Sequence, residues 1–364
     1  LDVELWYNNT RFEGSAQRPG KRRQFPIFDF FRYVGFTEVH AQSAGFSAAS
    51  TWGFDDDPQL TLGVDLRHIR QSLDEIASGR IGFNVFPDAN SPLPASQWVN
   101  PGLFAEASLP ATDRLTLRAG ARADVVATDI TEDLANLQEL GLQQPQSPLD
   151  AILGSDAYEQ HFTLGLVYLT GEYEWTDHWR LVGGVGHGER APSLTELYVA
   201  QSFMFLLQNG LNTVTGDPTL DPERLTQVDF GLVCDYSRFR SGAKGFYGWA
   251  HDYITFENLS VFRGPPAGQV EQVNLKFVNT DLATFVGTEM FAEWDWNEWF
   301  TPFATLRYVA GTDQTRNGDF ATQRVRPGQP STRVEGLPRG YFSGVAGPAE
   351  EPLPSILPLE SRLG

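Results

Sequence analysis

A single cysteine, Cys234, stands in a chain of 364 residues. One thiol cannot form an internal disulfide, nor can it build a cysteine cage for zinc. Positive charge is scarce too: 27 lysines and arginines face 46 aspartates and glutamates, for a formal net charge of −19. A nucleic-acid partner would require a basic face, so that class is excluded. Long apolar runs are missing. The longest, Phe203-Met204-Phe205-Leu206-Leu207, falls far short of the roughly 20 residues of a membrane-spanning helix. The chain also opens without the basic stretch and apolar core of a secretory leader. Leu1-Asp2-Val3-Glu4-Leu5 alternates like the middle of a strand, so the sequence reads as a mature or excised fragment.

Enzyme chemistry leaves little trace. His40, His68, His161, His178, His187 and His251 show no His-x-x-x-His spacing, which predicts no metal centre. Gly184-Val185-Gly186-His187-Gly188 lacks the third spaced glycine and the following amphipathic helix of a dinucleotide loop, so it reads as a glycine-rich strand. Neither a catalytic residue nor a cofactor is expected.

What the sequence does have is alternation of period 2. From Arg114 to Val125, Leu115, Leu117, Ala119, Ala121, Ala123 and Val125 share one face, opposite Arg114, Thr116, Arg118, Gly120, Arg122 and Asp124. The pattern returns at Gln59 to His68, at Thr226 to Tyr236 and at Val286 to Trp296. Cys234 falls on the apolar face, where it is expected as an inert, lipid-facing thiol.

Short breakers at Gly53 to Pro58, Pro110 to Asp113, Thr176 to His178, Ser237 to Arg240 and Asn297 to Glu298 alternate with long polar stretches. The long ones run from Asn9 to Phe36, Ile69 to Gln97, Thr128 to Asp156, Arg190 to Glu223, Glu257 to Thr280 and Thr312 to Pro354. Tight turns on one side and long loops on the other predict an all-β fold, an antiparallel transmembrane β-barrel of about 12 strand traces. Soluble strands average about 5 to 6 residues, and these are about twice as long. Tyr173, Trp175 and Trp179 gather at one short turn, and Trp294, Trp296, Trp299 and Phe300 at another, as interfacial girdles do. A charge facing lipid at the midplane costs roughly 2 to 4 kcal/mol, so Arg118 and Arg122 are predicted to face inward, and Leu117→Arg to hurt folding more than Arg118→Leu.

One stretch is more specific. Arg190-Ala191-Pro192-Ser193-Leu194-Thr195-Glu196-Leu197-Tyr198 is followed by Gly216-Asp217-Pro218-Thr219-Leu220-Asp221-Pro222-Glu223. Pro192 lacks an N–H and ends a ladder, Ser193 and Glu196 form a capping box for a short helical turn, and Pro218 and Pro222 stiffen the return to a strand near Arg224. These two boxes resemble those of the TonB-dependent outer-membrane receptors. So do Asn279-Thr280-Asp281-Leu282-Ala283 with Gly287-Thr288-Glu289, and the aromatic strand Trp249-Ala250-His251-Asp252-Tyr253-Ile254.

The resemblance implies a wall segment of a barrel of about 22 strands, in the outer membrane, with no enzymatic activity. It implies uptake of a scarce ligand such as an iron–siderophore complex, cobalamin or an oligosaccharide. Energy would come from the TonB–ExbB–ExbD complex through a plug. Nothing in residues 1–364 resembles the TonB box or the plug, so the chain reads as one incomplete barrel domain. Arg190, Ser193, Glu196, Tyr198, Phe203 and Phe205 are the candidates for binding ligand or structuring the loop. Arg118, Arg122 and Glu289 are the candidates for facing the plug across the lumen. A plugless porin-like channel and a soluble β-rich binding protein stand as alternatives.

Overall fold

A computed structural model describes residues 1–15, 34–54, 57–81, 84–131, 149–200, 213–264, 270–315, 351–352 and 359–363. The long strands are β1 (Asp2–Ser15), β2 (Val34–Trp52), β3 (Gln59–Ile81), β4 (Asn84–Thr112), β5 (Leu115–Ile130), β6 (Gln160–Thr176), β7 (Trp179–Arg190), β9 (Glu223–Tyr236), β10 (Phe239–Gly264), β11 (Val270–Trp294) and β12 (Phe303–Asp313). Two short helices, α1 (Leu149–Leu153) and α2 (Leu194–Tyr198), and three short strands complete the description: β8 (Thr213–Thr215), β13 (Glu351–Pro352) and β14 (Leu359–Leu363).

All strands join one sheet. Its order is β1-β2-β3-β4-β5-β6-β7-β9-β10-β11-β12-β13, with β14 also on β12 and β8 on β11. Every pairing along the path is antiparallel; β8 alone pairs in parallel. An opening strand, five hairpins and a closing trace carried by β13 and β14 reproduce the expected count. The predicted short turns fall where the hairpins reverse, as at Asp113–Arg114, between β4 and β5.

The registers fix the two faces. Asp65, Gly102 and Asp124 lie opposite one another on adjacent strands, and from this rung the alternation carries through the whole sheet. One face holds Val3, Leu5, Val64, Leu103, Val167, Phe230, Val286 and Met290, all between 45% and 78% exposed. A continuous band of bare apolar side chains marks a surface made for lipid or a partner, not for water. The other face carries the charges, and the charges pair within the wall. Arg122 holds Asp65 and Asp124 at 2.6 Å, Arg180 holds Glu172 at 2.5 Å, and Lys244 meets Asp229 at 3.1 Å. On this inner face Trp6, Phe104, Tyr168, Phe246 and Phe291 lie across Gly45, Gly63, Gly120, Gly287 and Gly242, where a Cβ would collide with the ring. The absent side chains let the rings lie flat against the wall.

Three of the expected long loops are shorter than predicted, because their strands run on. β1 continues to Ser15 and β2 resumes at Val34; β3 and β4 close to Ile81 and Asn84; β10 and β11 close to Gly264 and Val270. Alternation detects only the part of a strand that needs an apolar face. Beyond the lipid band the backbone stays paired while both faces become polar: on the outer face Arg11 pairs with Glu13 at 3.1 Å and also with Glu38, which meets His40 at 2.9 Å. Cys234 needs a correction as well. It lies on the outer face but is buried, in register between Trp179 and Ser241 near a turn. Protein, rather than lipid, covers the thiol.

Candidate functional site

Pro192 lies just after the end of β7, and Ser193 then caps α2 in an extended conformation, φ −69° and ψ 162°. The Glu196 amide donates to Ser193 Oγ at 3.3 Å, and the Ser193 amide donates to Glu196 Oε2 at 2.7 Å. The predicted capping box is present in both halves. Arg190 completes it, donating to Glu196 at 2.9 and 3.2 Å and to Glu223 Oε2 at 2.7 Å. Glu223 opens β9, and its second oxygen accepts the Ile254 amide of β10 at 2.7 Å. One guanidinium thus fastens the exit of β7, the helix and the entry of β9.

Beneath this network α2 seats Leu194, Leu197 and Tyr198 on the inner wall, among Leu93 of β4, Val126 and Ile130 of β5, and Phe162 and Leu164 of β6. Val126, Thr128 and Ile130 continue the face that carries Arg118 and Arg122 lower on the same strand, so the inner wall turns from charged to apolar where the helix lies on it. The Tyr198 hydroxyl donates to the Tyr158 carbonyl at 2.6 Å and sits 2.7 Å from Thr128 Oγ1, which donates to it. Burial pushes the Tyr198 phenol up to about 12.

The second box lies against the first. The Gly216 and Asp217 amides donate to the Val199 and Glu196 carbonyls at 2.6 and 2.9 Å. A Cβ on Gly216 would stand 2.6 Å from the Leu197 carbonyl oxygen and 2.7 Å from its carbon. Backbone cannot swing aside as a ring can, so Gly216→Ala is expected to cost roughly 1–3 kcal/mol of overpacking. Denaturant unfolding checks this, with Gly245→Ala, where the nearest atom is 3.7 Å away, as the near-neutral comparison.

Asp217 accepts from Thr219 and pairs with Lys276 of β11 at 2.7 Å. Asn279 donates to the Asp221 and Asp252 carbonyls at 3.0 and 2.6 Å and accepts the Asp221 amide at 2.9 Å. Asp252 itself takes φ 53°, a left-handed conformation that Asp tolerates, and it accepts from Arg224. Burial pushes the Asp217 carboxyl up, but hydrogen bonds from Lys276 and Thr219 outweigh it and hold the group below its ordinary 3.8. A depressed carboxylate stabilises in full above the unfolded value and loses that stabilisation as pH falls through the folded one. The protection factors of the Gly216, Asp217 and Thr219 amides should therefore hold down to about pH 4 and fall only below it.

Of the residues expected from sequence, Arg190, Ser193 and Glu196 form one network, and Tyr198 lies buried beside it. Phe203 and Phe205 lie outside the described residues. Arg118, Arg122 and Glu289 share the inner face but stand apart: Arg118 is 3.6 Å from Glu172, while Glu289 on β11 is 3.4 Å from Arg307. Sequence reading passed over Glu223, although it closes the second box. It also passed over Thr128 and Lys276, whose partners lie far off in the chain and leave no local signal.

An antiparallel meander with an apolar outer face, paired charges inside and a capped segment folded onto the inner wall defines the wall of a transmembrane β-barrel. A model of the TonB dependent receptor-like β-barrel matches residues 2–347, and the chain belongs to that family of outer-membrane receptors. The rhizobactin receptor of Rhizobium meliloti (strain 1021) is 25% identical over 231 residues, covering 60% of this chain and 30% of that protein. Among solved structures, the copper transporter OprC superposes with a TM-score of 0.61 at 20% identity, over 85% of this chain and 43% of its own. The chain thus spans less than half the length of both.

Proposed function

We propose that residues 1–364 form barrel wall of an outer-membrane, TonB-dependent receptor that takes up a scarce ligand, an iron–siderophore complex being the favoured class. The observation that carries this reading is the two-box excursion seated on the inner wall, in a chain of this receptor family. The relative named as a rhizobactin receptor supports a chelate over cobalamin or an oligosaccharide. In this reading TonB, ExbB and ExbD supply energy through a plug, which faces Arg118, Arg122 and Glu289. Arg190, Ser193, Glu196 and Tyr198 hold the excursion to the wall instead of touching ligand, because the polar atoms of the first three are committed to one another and to Glu223, and the Tyr198 hydroxyl to Thr128 and the Tyr158 carbonyl.

The test is uptake of radiolabelled iron, offered as ferric siderophores, by cells that depend on the full-length protein. Uptake should be saturable and abolished by deleting tonB, and unlabelled cobalamin or oligosaccharide should not compete. Uptake that survives without TonB and does not saturate would instead establish the porin-like alternative.

A further inference from the structure

The outer face is not uniformly bulky. A groove of about 670 Å³ crosses it from β2 to β7. Ala105 is paired with Ala121, and Ala123 with Gly165, so four adjoining outward positions bring nothing larger than a methyl group to its floor. Leu62, Val64 and Leu103 rise on one side and Val167 on the other, 44% to 60% exposed. Phe104 and Arg122 also border the groove, but through backbone: their side chains point to the inner face, where Arg122 holds Asp65 and Asp124.

The groove has a direction. Its low end is at Ser50, two residues before Trp52, the last of β2, and its high end at Glu189, ten residues after Trp179, the first of β7. Both of those strand ends adjoin short turns. The groove therefore climbs about eight residues, roughly 20 Å of depth on tilted strands, toward the side of the long excursions. One leaflet of the hydrocarbon core is about 15 Å deep. At the high end the lining turns polar: Glu189 Oε2 accepts the Gly165 amide at 2.7 Å, and His187 Nδ1 lies 2.8 Å from Thr226 Oγ1. Arg224 stands opposite Glu189 in register and pairs with Asp252.

We propose that this groove seats one acyl chain of a membrane lipid whose ammonium headgroup meets Glu189, so that one lipid stays with the wall while its neighbours exchange. The face is already turned to lipid, and a furrow continuous with that face has lipid as its first occupant. Bulk lipid tails are as apolar as the groove, so hydrophobicity does not distinguish the seated chain. Contact on several sides does, together with the polar end. The charge at that end selects the headgroup. Glu189 and Asp252 outnumber Arg224, which disfavours a net anionic lipid, whereas a primary ammonium donates charge-assisted hydrogen bonds to the Glu189 carboxylate. The inference rests on the outward assignment of this face and is independent of the ligand taken up.

The test is lipid retention by the full-length protein, extracted in mild detergent from vesicles of equal phosphatidylethanolamine and phosphatidylglycerol and weighed by native mass spectrometry. The unaltered protein should keep one phosphatidylethanolamine. Ala121→Trp fills the floor and should lower that retention about ten-fold. Ala243→Trp, which lies opposite Met290 on the same outer face but away from the groove, should leave it within about two-fold. Glu189→Gln should erase the preference over phosphatidylglycerol, a change of about ten-fold for one lost charge-assisted bond. Heat-modified migration on gels shows that each variant is folded. No retained lipid, equal loss in the two tryptophan variants, or a headgroup preference that is absent or survives Glu189→Gln overturns the proposal. So do lipid-free dimers joined across this face. Retention needs neither transported ligand nor energy coupling, so its failure and that of the uptake reading are told apart.

Discussion

Phe230→Arg is expected to cost the folded barrel roughly 2–4 kcal/mol, the cost of a cation held at the bilayer midplane. Phe230 stands near the middle of β9 on the outer face and is 63% exposed, so no protein neighbour could shelter the new charge. Gln227→Arg, three residues away on the opposite face, should cost little. Its register neighbours are Gly186 and Gly248, which leave room for the longer side chain in a polar wall. Urea unfolding in lipid vesicles, followed by tryptophan emission, gives both values. Were Gln227→Arg the more damaging, the assignment of faces would be inverted. The structure also shows why Leu117→Arg is the weaker experiment. Leu117 lies only two residues into β5 from its turn, at the membrane interface, where the cost of a charge falls to about 0–1 kcal/mol.

That refinement shows where sequence reading succeeds and where it stops. The faces of β5 and β9 were legible, because lipid imposes period 2 on every residue it touches. The helical turn at Ser193 was legible because capping is local chemistry, satisfied within four residues. Strand length was not, since Asn9 to Ser15 and Ile69 to Ile81 leave the lipid and keep their pairing without an apolar face to betray it. Also hidden was the inward seat of the excursion. Val126 and Ile130 occupy positions of the polar face, and in isolation look like lapses in the alternation. They are apolar because α2 covers them, a contact made by residues about seventy positions away, as between Thr128 and Tyr198.

The same contact yields the other large expected effect. Tyr198 is 0% exposed and fills the space between β5 and the segment entering β6, so Tyr198→Ala should remove roughly 3–5 kcal/mol through the cavity it leaves. Tyr198→Phe keeps the ring and deletes only the hydroxyl, which leaves the Tyr158 carbonyl and the Thr128 hydroxyl without their partner. About 1–3 kcal/mol is expected for that loss. A Thr128→Val, Tyr198→Phe double variant should recover part of it, because Val keeps the shape of Thr and removes the stranded donor. The three unfolding curves together separate packing from hydrogen bonding. If Tyr198→Phe proved as damaging as Tyr198→Ala, the ring would contribute nothing and α2 would be held by its hydroxyl alone. The apolar seat on Val126, Ile130, Phe162 and Leu164 predicts the opposite order, with the ring carrying most of the hold and the hydroxyl fixing its orientation.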